Sequence, residues 1–273
     1  MNKTSIAFIG GGNMARSLIG GLIARGQPSQ SLRVAEPVPA LRTALAAEFG
    51  VRARETGVEA ADGASLWVLA VKPQVLRSVC EALAPLAQAQ RPLIVSIAAG
   101  ITTAQIDRWL GGGQAVVRSM PNTPALLGAG ATGLYANPQA SAAQRQAAEA
   151  LMQAAGLTAW IPDEALMDAV TAVSGSGPAY VFLLAEAMQA AGEAQGLAPD
   201  TARSLVLQTI LGAARMLSES DEPAAALRQR VTSPGGTTQA ALECFEAGGF
   251  RTLVDQAIAA ATRRGRELAA GND

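Results

Sequence analysis

IAFIGGGNMARSLIGGLIARG, residues 6–26, opens the reading. The apolar run Ile6-Ala7-Phe8-Ile9 stops at the glycines Gly10, Gly11 and Gly12, and an amphipathic pattern with Met14, Leu18, Leu22 and Ile23 on one side begins at once. This predicts strand, tight turn, helix. Gly10, Gly12 and Ala15 occupy the three small positions of a dinucleotide fingerprint: one for the turn, one for close approach of backbone to a pyrophosphate, one for helix–strand packing. The N–H groups of Asn13 and Met14, at the positive end of the helix, are expected to face the anion.

Outward from this unit, the first half alternates. Strands are expected at residues 32–35, 51–53, 65–71, 93–97 and 115–120, with weaker ones at 132–135 and 158–161. Helices are expected at 39–49, 74–86, 102–110 and 141–155. Such alternation implies a mostly parallel, doubly wound sheet with helices on both faces. From Asp163 the strand-like runs vanish, and helical patterns follow near 164–173, 178–195, 199–220, 223–229, 237–247 and 250–270. The expected division is an α/β Rossmann domain over 1–162 and an all-helical domain over 163–273. Segments such as VFLLAEAM and LVLQTILGAARML are apolar on more than one face. They call for burial against a second subunit, because about 110 residues make a thin monomeric core.

Composition narrows the function. The chain has 273 residues, 49% hydrophobic and 16% charged, with a net charge of −1, so neither nucleic acid nor an anionic membrane surface is an expected partner. Apolar runs are interrupted well before the roughly 20 residues a membrane span needs. MNKTSIAFIG runs straight into a strand, so no secretory signal is expected. Cys80 and Cys244 have no ligand-spaced partner, which suits a reduced, cytoplasmic protein without a metal. Histidine is absent, which excludes histidine triads, histidine-ligated zinc and histidine acids. Every basic residue other than Lys3 and Lys72 is arginine.

Ligands of open α/β sheets bind beyond the carboxyl ends of the strands. Those ends carry Gly10 to Asn13, Glu36-Pro37, Ala70-Val71-Lys72-Pro73, Ser96 to Gly100 and Met120 to Pro124. The small Ala98 and Ala99 leave room for a flat ring such as nicotinamide. Glu36 is placed to accept hydrogen bonds from ribose hydroxyls and to repel a 2′-phosphate, so NADH is expected to be usable, with Arg33 and Arg42 near enough to offset part of the repulsion. Downstream, Val231-Thr232-Ser233-Pro234-Gly235-Gly236-Thr237-Thr238 leads into another helix, a loop suited to a small anion such as a carboxylate. Thr237 or Thr238 could instead cap that helix. Ser174-Gly175-Ser176-Gly177-Pro178-Ala179-Tyr180 opens a long helix and suits either ligand contact or close packing.

Taken together, FIGGGNMA, AVKPQ, SIAAG, RSMPNTPA, AVSGSGPAYVF and VTSPGGTTQAAL resemble the pyrroline-5-carboxylate reductase family over essentially the whole chain. The resemblance implies a Rossmann domain and a helical dimerisation domain, in dimers that assemble further, with substrate bound at the intersubunit face. It implies hydride transfer from NADPH or NADH to the C=N bond of 1-pyrroline-5-carboxylate, giving proline. By position, Gly10, Gly11, Gly12, Asn13, Met14, Ala15, Glu36, Ala70, Val71, Lys72, Pro73, Ala98 and Ala99 would line the cofactor. Val231, Ser233, Gly235, Gly236, Thr237 and Thr238 would hold the substrate, with the Thr238 hydroxyl at the ring nitrogen. Two positions depart from the family pattern. Glu36-Pro37 stands where small polar residues and often arginine follow the second strand, and Thr56 stands where asparagine is common.

A protonated cyclic imine already carries positive charge, so hydride addition neutralises charge and needs no separate acid. The absence of histidine therefore suits an imine reductase. Two alternatives are a β-hydroxyacid dehydrogenase, which relies on a lysine in the first long helix after the sheet, and a non-catalytic dinucleotide-sensing dimer, which would have no use for the SPGGTT loop.

Overall fold

The computed structural model describes residues 5–271. β1 (Ile6–Ile9) is buried throughout and ends at Gly10, where φ is +109° and an added Cβ would lie 2.6 Å from the Ala70 carbonyl oxygen. Only glycine permits that turn so close to the next strand. α1 (Asn13–Ala24) buries Ala15, Leu18, Ile19 and Leu22. The alternation continues through β2 (Leu32–Ala35), α2 (Pro39–Phe49), β3 (Arg52–Arg54), α3 (Gly57–Ala61), β4 (Leu66–Leu69), α4 (Pro73–Gln90), β5 (Leu93–Ser96), α5 (Thr103–Trp109) and β6 (Ala115–Met120). β7 (Gly130–Ala136), α6 (Ala142–Met152) and β8 (Gly156–Trp160) complete the sheet.

Strand order is β3-β2-β1-β4-β5-β6-β7-β8. All neighbours are parallel except β6 and β7. The order reverses between β1 and β4, the switch point where open α/β sheets take their ligands. Both faces are covered, as the period of two along each strand shows. Phe8, Val68 and Val95 enter one apolar cluster with Leu18 and Ile19, and their neighbours Ile9, Trp67 and Ile94 enter the other with Leu76 and Leu83.

The largest differences from the expected elements lie in two places. α3 is not among the predicted helices. It is nucleated by a capping box in which the Thr56 hydroxyl accepts from the Glu59 amide and the Glu59 carboxylate accepts from the Thr56 amide. The single helix expected over 164–173 is instead a 3-10 turn (Glu164–Leu166), α7 (Met167–Val170) and a π turn (Thr171–Gly175). This stretch is tied to the sheet. Arg118, nearly fully buried, meets Glu164 at 3.5 Å and Asp168 at 3.6 Å, and Glu164 also accepts from the amide and hydroxyl of Thr103 at 2.7 and 2.8 Å.

The strands end at Trp160, close to the boundary expected at 162, but the compact units divide later, at Ser176. Residues up to Ser176 together with those from Ala260 onward form the first unit, and Gly177–Ala259 forms the second. The buried Arg118 cluster accounts for the later division. The last turns of the chain belong with it: a Cβ on Gly265 would stand 3.2 Å from Asp168 Oδ1, and one on Gly100 would meet Leu268.

The second unit comprises α8 (Gly177–Ala194), α9 (Pro199–Glu219), α10 (Ala224–Arg230), α11 (Thr237–Ala247) and the first half of α12 (Phe250–Ala270). α8 and α9 pack on each other. Even so, α8, α11 and α12 bury no residue, and α9 buries only Ala202. Phe182, Leu183, Leu205, Leu211 and Leu253 are exposed in the single chain. Among the described residues, no helix is long and apolar enough to cross a membrane.

Packing of α1 gives a direct test. A Cβ on Gly21 would overlap the Ala154 carbonyl oxygen, whereas one on Gly20 would meet Phe49 at 3.4 Å. Gly21→Ala is expected to destabilise by about 1–3 kcal/mol, while Gly20→Ala holds or raises the thermal midpoint through helix propensity. Equal midpoints for the two variants would contradict this packing.

Candidate functional site

The register places the carboxyl ends of the parallel strands on one edge: Ile9 pairs with Ala35 and Leu69, and Leu69 with Ser96. Backbone bonds continue past the strands, from Gly10 to the Ala35 carbonyl at 3.0 Å, from Ala70 to Ile9 at 2.8 Å and from Ile97 to Leu69 at 3.1 Å. Gly10 to Ala15, Glu36, Ala70 to Pro73, Ala98 and Ala99 therefore share that edge. Lys72 is exposed and stands at the N-cap of α4. Ala98 is buried, its amide donating to Ser96 Oγ at 3.3 Å, and Ala99 is exposed.

Glu36 is held in place. Only 8% exposed, it accepts the Val38 amide on Oε1 at 3.0 Å, and Arg42 donates to its carbonyl oxygen at 2.7 Å. A Cβ on Gly11 would overlap Leu45 Cδ1 and stand 3.1 Å from Glu36 Oε2. Gly11, between the two fingerprint glycines, is thus what lets this carboxylate lie against the turn, a link between two motifs that sequence spacing did not reveal. Arg42 also pairs with Glu55 at 3.4 Å, so its charge is shared between carboxylate and carbonyl partners.

α2, α4, α9 and α10 lack a side-chain cap, as α1 and α11 do, but α1 and α11 combine that with a glycine at the N-cap. α3, α5 and α6 begin with full capping boxes on Thr56, Thr102 and Ser141, so their first amides are partly satisfied from within. α1 and α11 begin at Gly12 and Gly236, with no side-chain cap. Neither has an acidic residue in its first turn. Their leading N–H groups and positive dipole ends are open to an external anion. Gly12 is exposed, and a Cβ there would have nothing within 4 Å. That leaves open space before the amides of Asn13 and Met14.

The 231–238 loop lies in the second unit. Gly235 has φ +71°, a backbone that favours glycine. Its amide donates to Gln239 Oε1 at 2.8 Å, and the Gly236 amide donates to the Ser233 carbonyl at 3.0 Å. These two glycines shape the turn with their own amides, which leaves those of Thr237 and Thr238 at the open helix end. Neither threonine caps α11, so the capping alternative does not hold. Val231 is exposed at the end of α10.

Some of these features have signals that sequence reading passed over. Thr56-x-x-Glu59 carries the S/T-x-x-E pattern of a capping box, which explains why that position serves a helix start. The Arg118–Glu164–Asp168 cluster joins residues far apart in the chain and has no local signature. Burial pushes the Cys80 thiol up to about 12, with nearby Glu81 adding to the effect, so this thiol is core packing. Among the described residues, no group of three or more His, Cys, Asp or Glu is placed to hold a metal.

Comparison with known proteins bears on both units. A family model for pyrroline-5-carboxylate reductase dimerisation matches residues 164–268, and one for coenzyme F420-dependent NADP oxidoreductases matches 5–100. A pyrroline-5-carboxylate reductase of Pseudomonas aeruginosa is 55% identical over 269 residues, covering 98% of each chain. The chain belongs to the pyrroline-5-carboxylate reductase family. Among solved structures, a pyrroline-5-carboxylate reductase from Coxiella burnetii superposes with a TM-score of 0.94 at 43% identity, covering 98% of this chain and 99% of that one. The Plasmodium falciparum pyrroline carboxylate reductase with NADP bound gives 0.87 at 29% identity, covering 98% and 99%.

For this family member, the space before Gly12 separates ligand binding from packing. Gly12→Ala meets no neighbour, and its φ of −68° is open to any residue. Stability is expected to change by less than about 1 kcal/mol, while coenzyme affinity, read by quenching of NADH fluorescence, falls by about tenfold or more as the methyl group enters the pyrophosphate position. Unchanged affinity would remove the turn from the coenzyme site.

Proposed function

We propose that the protein reduces 1-pyrroline-5-carboxylate to proline with NADPH or NADH, as a homodimer or larger homo-oligomer in the cytoplasm. The observation that carries this reading is the pair of glycine-capped, otherwise uncapped helix ends, one in each unit, in a member of this reductase family. The amides of Gly12, Asn13 and Met14 would take the pyrophosphate, and Glu36 the adenosine ribose. Val71, Lys72 and Pro73 would flank the dinucleotide, and Ala98 and Ala99 leave room for its ring. The bound coenzyme supplies the hydride.

The chain's own residues bind and orient the substrate. The amides of Thr237 and Thr238, on the turn shaped by Ser233, Gly235 and Gly236, would hold the carboxylate. The Thr238 hydroxyl, which caps nothing, would hydrogen-bond the ring nitrogen and fix the ring face presented for reduction. Alignment of donor and acceptor carbons is where most of the rate enhancement arises, since an iminium needs no acid. The exposed apolar faces of α8, α9 and α12 support self-association. Free Cys80 and Cys244 support a reducing compartment. The β-hydroxyacid dehydrogenase alternative needs a lysine in α8, and Gly177–Ala194 has none.

The test is to mix the protein with pyrroline-5-carboxylate and follow oxidation of NADPH and NADH in parallel. Both are expected to be oxidised, NADH because Glu36 would accept hydrogen bonds from the ribose hydroxyls. Thr238→Ala is expected to lower kcat by about 10- to 100-fold, the cost of roughly one transition-state hydrogen bond. No oxidation of either coenzyme would overturn the reading, and unchanged kinetics in the variant would remove Thr238 from the mechanism.

A further inference from the structure

Asn122 follows β6 at the same edge of the sheet. It is the N-cap residue of the 3-10 turn Thr123–Leu127, yet its side chain makes no capping bond there. The amide reaches two other elements instead. Nδ2 donates to the Ser174 carbonyl at 3.2 Å and approaches Ser174 Oγ at 3.4 Å, and Oδ1 accepts the Ala131 amide at 2.9 Å. Ser174 Oγ in turn donates to the Ala131 carbonyl at 3.4 Å. One planar amide therefore joins the end of β6, the start of β7 and the π turn Thr171–Gly175.

That turn is of an uncommon kind, found mostly as single turns and frequently at functional sites. Here the wide turn is closed by the Ser176 amide donating to the Thr171 carbonyl at 2.8 Å, and the sheet packs against the turn and against Val170 just before it. A Cβ on Gly175 would lie 2.5 Å from Met120 Cε, and one on Gly133 would lie 2.6 Å from Val170 Cγ1. Hydrogen bonds also run from β6 towards the small-residue loop of β5. Ser119 Oγ donates to the Ser96 carbonyl at 2.8 Å, and Ser96 Oγ accepts the Ala98 amide at 3.3 Å. The polar contacts thus extend from the loop that leaves room for the coenzyme ring to the last turn before the first unit ends at Ser176.

We infer that Asn122 is a positioning residue for the reduction: it holds the π turn, and with it the exit of the chain from the first unit, on the strand ends of the coenzyme edge. This rests on the reductase reading above. The hydrogen bonds of Asn122 run to Ser174 and Ala131 and not to the Gly10–Gly12 turn or Glu36, so loosening it should lower turnover while coenzyme capture persists.

Asn122→Asp keeps an acceptor for the Ala131 amide and removes the donor to Ser174. Expected are faster amide hydrogen exchange at residues 171–177 and a kcat lowered by about 10- to 100-fold, as for a small misplacement away from the chemistry, with the NADH Kd within about twofold of wild type. Gly175→Ala, which presses on Met120 without touching the hydrogen bonds, should act in the same direction with a smaller loss and stands in if the aspartate variant does not fold. Unchanged exchange at 171–177, an unchanged kcat, or a parallel loss of kcat, coenzyme affinity and thermal midpoint overturns the inference and leaves the reductase reading intact. A wild-type protein inactive on pyrroline-5-carboxylate overturns both.

Discussion

The turn at Gly10 is the contact on which the site depends. Chain leaving β1 passes so close to the Ala70 carbonyl that a side chain at residue 10 would collide with it. Because this happens where strand order reverses, the ends of β1 and β4 open around one crevice and α1 starts inside it. Gly11 then makes room for Glu36, and Gly12 leaves the first amides of α1 without a cap. A dinucleotide has a diphosphate and a ribose diol, and under the proposed function the uncapped end of α1 and the Glu36 carboxylate would be their partners.

A glycine-capped helix start recurs in the second unit. At α11 a glycine again stands at the N-cap, but the preceding turn is short and its own glycine amides are occupied internally. What remains is a pair of threonine amides and a hydroxyl, which under the proposed function would meet one carboxylate and one ring nitrogen. A chain with no histidine can work with so little because a protonated imine brings its own charge, and the burden on the protein is orientation.

The parts of this architecture set by local pattern were legible in the chain itself. Buried strands such as Leu66–Leu69 and the glycine turn have short-range signatures, and the strand alternation implied the sheet and its ligand edge. The roles expected of Thr238 and its loop came from the family motifs, since periodicity alone would not assign them. What stayed hidden was set by tertiary contact. A continuous helical pattern over 164–173 does not reveal that Arg118 meets Glu164 and Asp168, or that Asn122 and Met120 meet Ser174 and Gly175 just beyond it. Nor does the pattern show that Gly235 and Gly236 use their own amides, because Gln239 and Ser233 become partners only once the loop is folded. α3 is a different case: its capping box was visible, but five residues are too few for a periodic signal.

A crystal structure with NADH and proline, the product, bears most directly on the central claim. The account predicts a pyrophosphate on the amides of Gly12, Asn13 and Met14, ribose hydroxyls on Glu36, and a proline carboxylate on Thr237 and Thr238 with its ring nitrogen at the Thr238 hydroxyl. A coenzyme bound away from the Gly10–Gly12 turn, or proline seated away from the threonines, would contradict it.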